Sequence, residues 1–202
     1  MVSAAFKRDI ERETGWAWEQ WVEWLDRTAD PQWSHDGLKS HILDARPVAE
    51  AWAEWAALLY GQKLGRIPVG VTKDAGVQIG VRRTASADRA ALWDALLSPE
   101  GLALWIGSVP EIRLERGFAF ASPEGVACRL TVVEPPTKLR LTWKRPDWDT
   151  PSRLQWYLSP AAAGRTTVAV HQEMLEDVYL REAMRRHWEG VLQELFRLAA
   201  AA

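Results

Sequence analysis

Apolar positions recur every three to four residues at both ends of the chain and every second residue in the middle, so the sequence divides by period before any motif is sought. Residues 1–66 read as helix throughout. Thr14 is placed to cap a helix running to about Asp26, with Trp18, Trp21, Val22 and Leu25 on one face. Ser34 is placed to cap a short second helix carrying Leu38, Ile42 and Leu43. Pro47 suits the first turn of a third helix, to about Tyr60, whose apolar stripe is Val48, Trp52, Trp55 and Leu59. Trp16, Trp24 and Trp33 fall off these stripes and predict either a docking surface for the rest of the chain or a dimer face. Gly61 and Gly65 punctuate the end, and residues 67–76 predict a linker.

From Val77 the period is two. Val77, Ile79 and Val81 form a strand ending at Thr84; Ser86 is placed to cap a helix to about Leu97, and Pro99 opens a second, ending near Gly107. Strand-like runs follow at Glu111–Glu115, Gly117–Ala121, Val126–Glu134, Lys138–Lys144, Arg153–Ser159 and Thr166–Glu173, separated by turn residues, including Pro160 to Gly164. Short turns between alternating strands favour an antiparallel sheet. The last helix, about Asp177 to Ala199, repeats Leu180, Met184, Trp188, Val191, Leu195 and Leu198 at helical spacing over about 34 Å. The prediction is an α+β domain at 77–202, a curved antiparallel sheet around a long C-terminal helix, preceded by a helical domain at 1–66. A long twisted sheet leaves room beside one helix, so a pocket between the two is expected.

Composition narrows the classes. The 202 residues carry 25 Lys+Arg against 27 Asp+Glu, without the basic excess of a nucleic-acid binder. No apolar run is long enough to span a membrane, and the charged first residues lack a signal-peptide core, so membrane insertion is not expected and a cytoplasmic location is. The single cysteine, Cys128, rules out an internal disulfide, and its apolar strand face marks it as a small buried hydrophobe. Tryptophan is the outlier, 13 of 20 aromatics; indole is large, rigid and carries one N–H to satisfy, so it lines pockets as readily as it fills cores.

Strand parity nominates the wall. Leu139, Leu141 and Trp143 share a face, as do Leu154, Trp156 and Leu158; Phe118 and Phe120; Cys128, Leu130 and Val132; and Val168 and Val170. The candidate ligand-binding residues are Trp105, Phe118, Phe120, Leu130, Trp143, Trp156, Val170, Met184 and Trp188. No catalytic motif is detected: there is no nucleophile elbow, phosphate-cradling glycine loop or zinc-ligand spacing. His35 and His41 are six apart, on different helix faces, and no cofactor or metal is expected. His171 and Glu173 share an outward face, while Glu176 and Asp177 suit the N-terminal cap of the last helix.

The stretch VQIGVRRTASADRAALWDALLSPEGLALWIG at 77–107, with MRRHWEGVLQELFRL at 184–198, resembles the START-like (SRPBCC) superfamily of helix-grip proteins, which includes polyketide cyclases. More closely it resembles the branch named after activators of the heat-shock protein ATPase. His187 stands where that branch usually has glycine before the tryptophan. ETGWAWEQWVEWLD at 13–26 and YGQKLG at 60–65 are similar to a small bacterial helical domain without assigned function. The resemblance and the strand parity together imply binding of a small hydrophobic ligand in an internal cavity. Two alternatives stay open. One is a protein-interaction or co-chaperone-like module, with a protein partner or a homodimer. The other is a polyketide-cyclase-like or hydrolase-like enzyme using Glu173 or His171 as acid/base.

Overall fold

A computed structural model describes residues 2–68, 71–72, 75–109, 111–161 and 164–201. The chain separates into two compact units, Met1–Val71 with Glu176–Leu180, and Thr72–Leu175 with Arg181–Ala202. The helical unit therefore takes in five residues from far along the chain, beyond the expected boundary at residue 66. Of the expected linker, Val69, Gly70, Lys73 and Asp74 lie outside the described residues, as do Ala162 and Ala163 of the expected turn at 160–164.

The helical unit holds α1 (Ala4–Thr14), α2 (Trp18–Thr28), α3 (His35–Ala45) and α4 (Glu50–Lys63). Ser3 caps α1, its Oγ accepting from the Phe6 N–H at 3.2 Å. Thr14 is the last residue of α1, not the cap of α2: Gly15 follows at φ 74° and turns the chain. Thr14 Oγ1 instead accepts from the Trp21 indole at 3.1 Å. Ser34 caps α3 as expected. Pro47 lies outside α4, which starts after Ala49. The buried residues of α4 are Ala53, Ala56, Ala57, Leu59, Tyr60 and Gly61; Leu59 of the expected stripe is among them, and the small residues let neighbouring backbones close in. Trp52 and Trp55 are half-buried and meet Tyr179, centroids 6.1 and 5.2 Å apart, while Phe6 meets the same ring at 5.3 Å. Asp177, fully buried, accepts from the Ser3 and Leu180 N–H groups at 2.8 Å each. Trp16, Trp24 and Trp33 join a half-buried cluster: the His41 ring stacks on Trp24 at 4.9 Å and meets Trp33 at 5.0 Å, and the Arg46 guanidinium lies 3.6 Å over Trp16.

In the second unit the strands are β1 (Val71–Thr72, at the division), β2 (Gly76–Ala85), β3 (Ala119–Ala121), β4 (Ala127–Glu134), β5 (Lys138–Lys144), β6 (Ser152–Pro160) and β7 (Thr166–Leu175), in the sheet order β1-β2-β7-β6-β5-β4-β3. Pairings β2–β7–β6–β5–β4–β3 are all antiparallel. Residues 111–115 are not a strand. The pattern there buries Ile112 but finds no partner, because β4 bonds Gly117 and Phe118 through Leu130. A bulge between Leu130 and Val132 breaks the expected β4 face, so Val133 rather than Val132 pairs with inward Leu139. Helices α5 (Arg89–Leu97) and α6 (Pro99–Trp105) follow β2; Asp88, not Ser86, caps α5. Helix α7 (Val178–Ala201) is the long terminal rod, and its Met184, Trp188, Leu192 and Leu195 are buried. The fold is the helix-grip arrangement, with the sheet's inner face against this helix.

Candidate functional site

Two rows cross the inner sheet face. One runs Val81, Val170, Trp156, Leu139 and Val133; the next runs Gln172, Leu154, Leu141 and Leu130. Trp143 stands opposite Cys128 on β4 and Ser152 on β6. From the helix side Trp188 meets Trp156 and Trp143 at 5.7 and 5.8 Å, and Trp105, the last residue of α6, meets Trp156 at 5.5 Å. Four indoles thus occupy the middle of the space between sheet and helix where a pocket was expected. Of the nine candidates, Trp105, Leu130, Trp143, Trp156, Val170, Met184 and Trp188 are buried in this unit. Phe118 and Phe120 are half-buried at the β3 edge, stacked on each other at 5.6 Å, with Phe120 opposite Cys128.

Three of the four indole N–H groups are satisfied. Trp105 Nε1 donates to the Leu96 carbonyl at 3.3 Å, Trp143 Nε1 to the Trp105 carbonyl at 3.0 Å, and Trp188 Nε1 to Gln172 Oε1 at 2.7 Å. Gln172 Nε2 then donates to Ser152 Oγ, and Ser152 Oγ to the Trp143 carbonyl, each at 2.8 Å. Gln172 alternates with Val168 and Val170 and so shares their inner face, a polar position in an apolar row that strand parity alone marks. Trp156 Nε1 has no partner, and neither has His187 Nε2; among the described residues these are the only two buried side-chain polar atoms so left. They belong to one cluster, since His187 meets Trp188 at 4.7 Å and Trp143 at 6.5 Å. Burial first, and then the charge of Arg145, lower the His187 pKa to about 4, so its imidazole is neutral at pH 7.

A cleft of about 360 Å³ opens beside this cluster. Its apolar lining includes Leu104, Trp105, Ile106, Val126, Trp143 and Pro146, and its polar lining Glu124, Arg145 and His187. Glu124 fixes the rim: it accepts from the Ser108 N–H at 3.0 Å and from the Ser108 hydroxyl. The hydroxyl and backbone bonds hold its carboxyl down at about 2. A Cβ on Gly107 would stand 2.2 Å from Glu124 Oε2, and its φ is 117°, so the position requires glycine. Sequence parity could not find Ile106, Val126 or Pro146, which lie at chain turns rather than on regular strand faces.

The alternative acid/base residues lie elsewhere. Glu173 stands opposite Arg153 on the outer sheet face and is ion-paired to it, with Gln155 Nε2 donating at 3.3 Å; exposed His171 stands opposite Gln155 on the same outer face. The inner space is thus closed to both. Cys128 is buried, which pushes its thiol up to about 12 and away from nucleophilic chemistry. Among the described residues no three His, Cys, Asp or Glu gather to hold a metal, and no helix is long and apolar enough to cross a membrane.

Known structures share this fold. Protein MLL2253 from Mesorhizobium loti is 22% identical, with a TM-score of 0.53 over 62% of this chain and 98% of its own. Protein CV1439 from Chromobacterium violaceum is 24% identical, with a TM-score of 0.51 over 60% and 96%. CalU16 from Micromonospora echinospora is 21% identical, with a TM-score of 0.51 over 64% and 87%. No curated protein matches the chain. The family model described as Activator of Hsp90 ATPase homolog 1-like protein matches residues 86–200, more than half of the sequence, and the chain belongs to that family.

Proposed function

We propose that this protein binds a small hydrophobic ligand between the inner sheet face and α7, entered through the cleft beside Trp105 and Trp143. One observation carries the reading. The two unpartnered buried polar atoms, Trp156 Nε1 and His187 Nε2, sit in a single indole cluster, of which His187, Trp105 and Trp143 line that cleft while Trp156 meets Trp105 at 5.5 Å. An unsatisfied buried donor costs about 1–3 kcal/mol, a cost a ligand acceptor removes. The cleft volume falls within the range of small-molecule sites, and the lining is apolar with few polar groups, as such sites require. The ligand is therefore an apolar body with at least one hydrogen-bonding oxygen or nitrogen.

The test is titration of intrinsic tryptophan fluorescence with lipids, aromatics and polyketides. Saturable quenching or a shift of the emission is expected for at least one class. Trp156→Phe should weaken a ligand that carries an acceptor by about tenfold and leave its acceptor-free analogue unchanged. No response from any class, or equal weakening of both analogues, would count against the assignment.

A further inference from the structure

The outer face of the sheet is separate from the ligand cleft and carries a different chemistry. Because Leu139, Leu141 and Trp143 are buried, β5 presents Lys138, Arg140, Thr142 and Lys144 outward. Arg129 on β4 and Arg153 on β6 stand opposite Thr142, and Arg82 on β2 stands opposite Ala169. These six cations share the described outer face with two carboxylates, Glu134 and Glu173, in a chain with more acidic than basic residues. Glu173 is held by Arg153, and Glu134 lies 4.0 Å from Lys138. Among the described residues no carboxylate pairs with Arg129, Arg140 or Lys144; Arg140 Nε donates to neutral Gln155 at 3.0 Å. Neighbouring like charges on a sheet repel, so the arrangement lowers stability unless something acidic covers it.

The face also has a groove. At the β4 bulge, Arg116, Thr131, Val132, Val133, Glu134 and Arg140 line a depression of about 430 Å³, in which the Glu134 carboxylate lies 4.0 Å from Lys138. Two guanidiniums beside a valine match a carboxylate next to an apolar side chain, and alternating side chains on an extended segment present such a pair. The face already holds one carboxylate, Glu173, between the Arg153 guanidinium and the Gln155 amide. Nucleic acid fits less well. Single strands need aromatic platforms, and Tyr157, the aromatic ring on these outer strand positions, is covered by Lys138 at 5.5 Å and packed edge-on to His171. We propose that this face docks an acidic, extended segment of a partner protein, its carboxylates on Arg116, Arg129, Arg140 and Lys144 and an apolar side chain on Val132.

The experiment is fluorescence anisotropy of the full chain with a labelled octapeptide of alternating glutamate and valine. Its glutamine–valine counterpart, oligothymidylate and phosphatidylserine vesicles serve as competitors. Saturable, salt-sensitive binding of the acidic peptide is expected. R116Q/R140Q should weaken it by about tenfold, R129Q/K144Q should do so independently, and R186Q/R197Q, on α7, should leave it unchanged. Circular dichroism confirms that each variant is folded. Absence of saturable binding, displacement by oligothymidylate or vesicles in preference to the glutamine peptide, or unchanged binding by both outer-face variants would overturn the proposal.

Discussion

Gly101→Ala should cost the second unit on the order of 3 kcal/mol, the upper end for forcing extra volume into a packed site. An added Cβ would stand 1.9 Å from the Ala95 carbonyl oxygen and 2.9 Å from that of Leu96. Both are backbone atoms at the end of α5, so no side chain can swing away. The corner is tight because Ser98 closes α5 and opens α6 at once: its Oγ accepts from the Gly101 N–H at 3.0 Å and donates to the Ala95 carbonyl at 2.9 Å, and Pro99 occupies the first helical position. Relief requires α6 to move off α5. That movement also stretches the bond from Trp105 Nε1 to the Leu96 carbonyl and withdraws Trp105 from the cleft. Urea unfolding should show a lower midpoint at unchanged slope, together with a change in tryptophan emission before the main transition. A variant as stable as the parent would mean that the corner yields without cost.

The second large effect is on acid stability. His187 has a folded-state pKa near 4, against about 6.5 when unfolded. Below 6.5 the unfolded chain takes up a proton that the folded chain refuses. The stability conferred by the neutral imidazole is thus fully present above 6.5 and is lost as pH falls towards about 4. The loss is on the order of 3 kcal/mol. The groups facing the imidazole are the Trp143 and Trp188 rings and the Arg145 charge, with Glu124 across the cleft. Glu124, itself depressed to about 2, loses its contribution at lower pH, between about 4.5 and 2. Comparison with His187→Phe separates the two groups. The variant should lose markedly less stability than the parent between neutral pH and pH 4, measured by urea unfolding. Parallel pH profiles would contradict the buried, neutral assignment.

What the sequence discloses is set by period. A two-residue alternation says which side chains share a face, so Leu139, Leu141, Trp143, Leu154, Trp156 and Leu158 were legible and are buried together. It does not say whether a run has a partner, so Glu111–Glu115 read like a strand. Nor does it reveal an extra residue, so the β4 bulge moved Val132 off its expected face. Of the helix starts, the cap at Ser34 was legible, whereas Ser86 stood in for Asp88, which caps α5, and Thr14 serves the Trp21 indole instead. The recruitment of Asp177 and Tyr179 into the helical unit has no local signal, because their partners Ser3, Asp9 and Phe6 lie more than a hundred positions away. The indoles were nominated correctly as interior. Their mutual contact, and the one N–H left over, depend on rotamers and packing that no spacing encodes.

The ligand assignment meets its most direct test in the indole N–H resonances of the ¹⁵N-labelled protein, with the Trp156 signal identified by its loss in Trp156→Phe. On titration with a ligand found by fluorescence, the Trp156 N–H should shift downfield, as a newly formed hydrogen bond requires, and the His187 ring signals should move with it. If both stay unmoved at saturation while the ligand remains bound, the occupied space lies elsewhere and the inner-face assignment is contradicted.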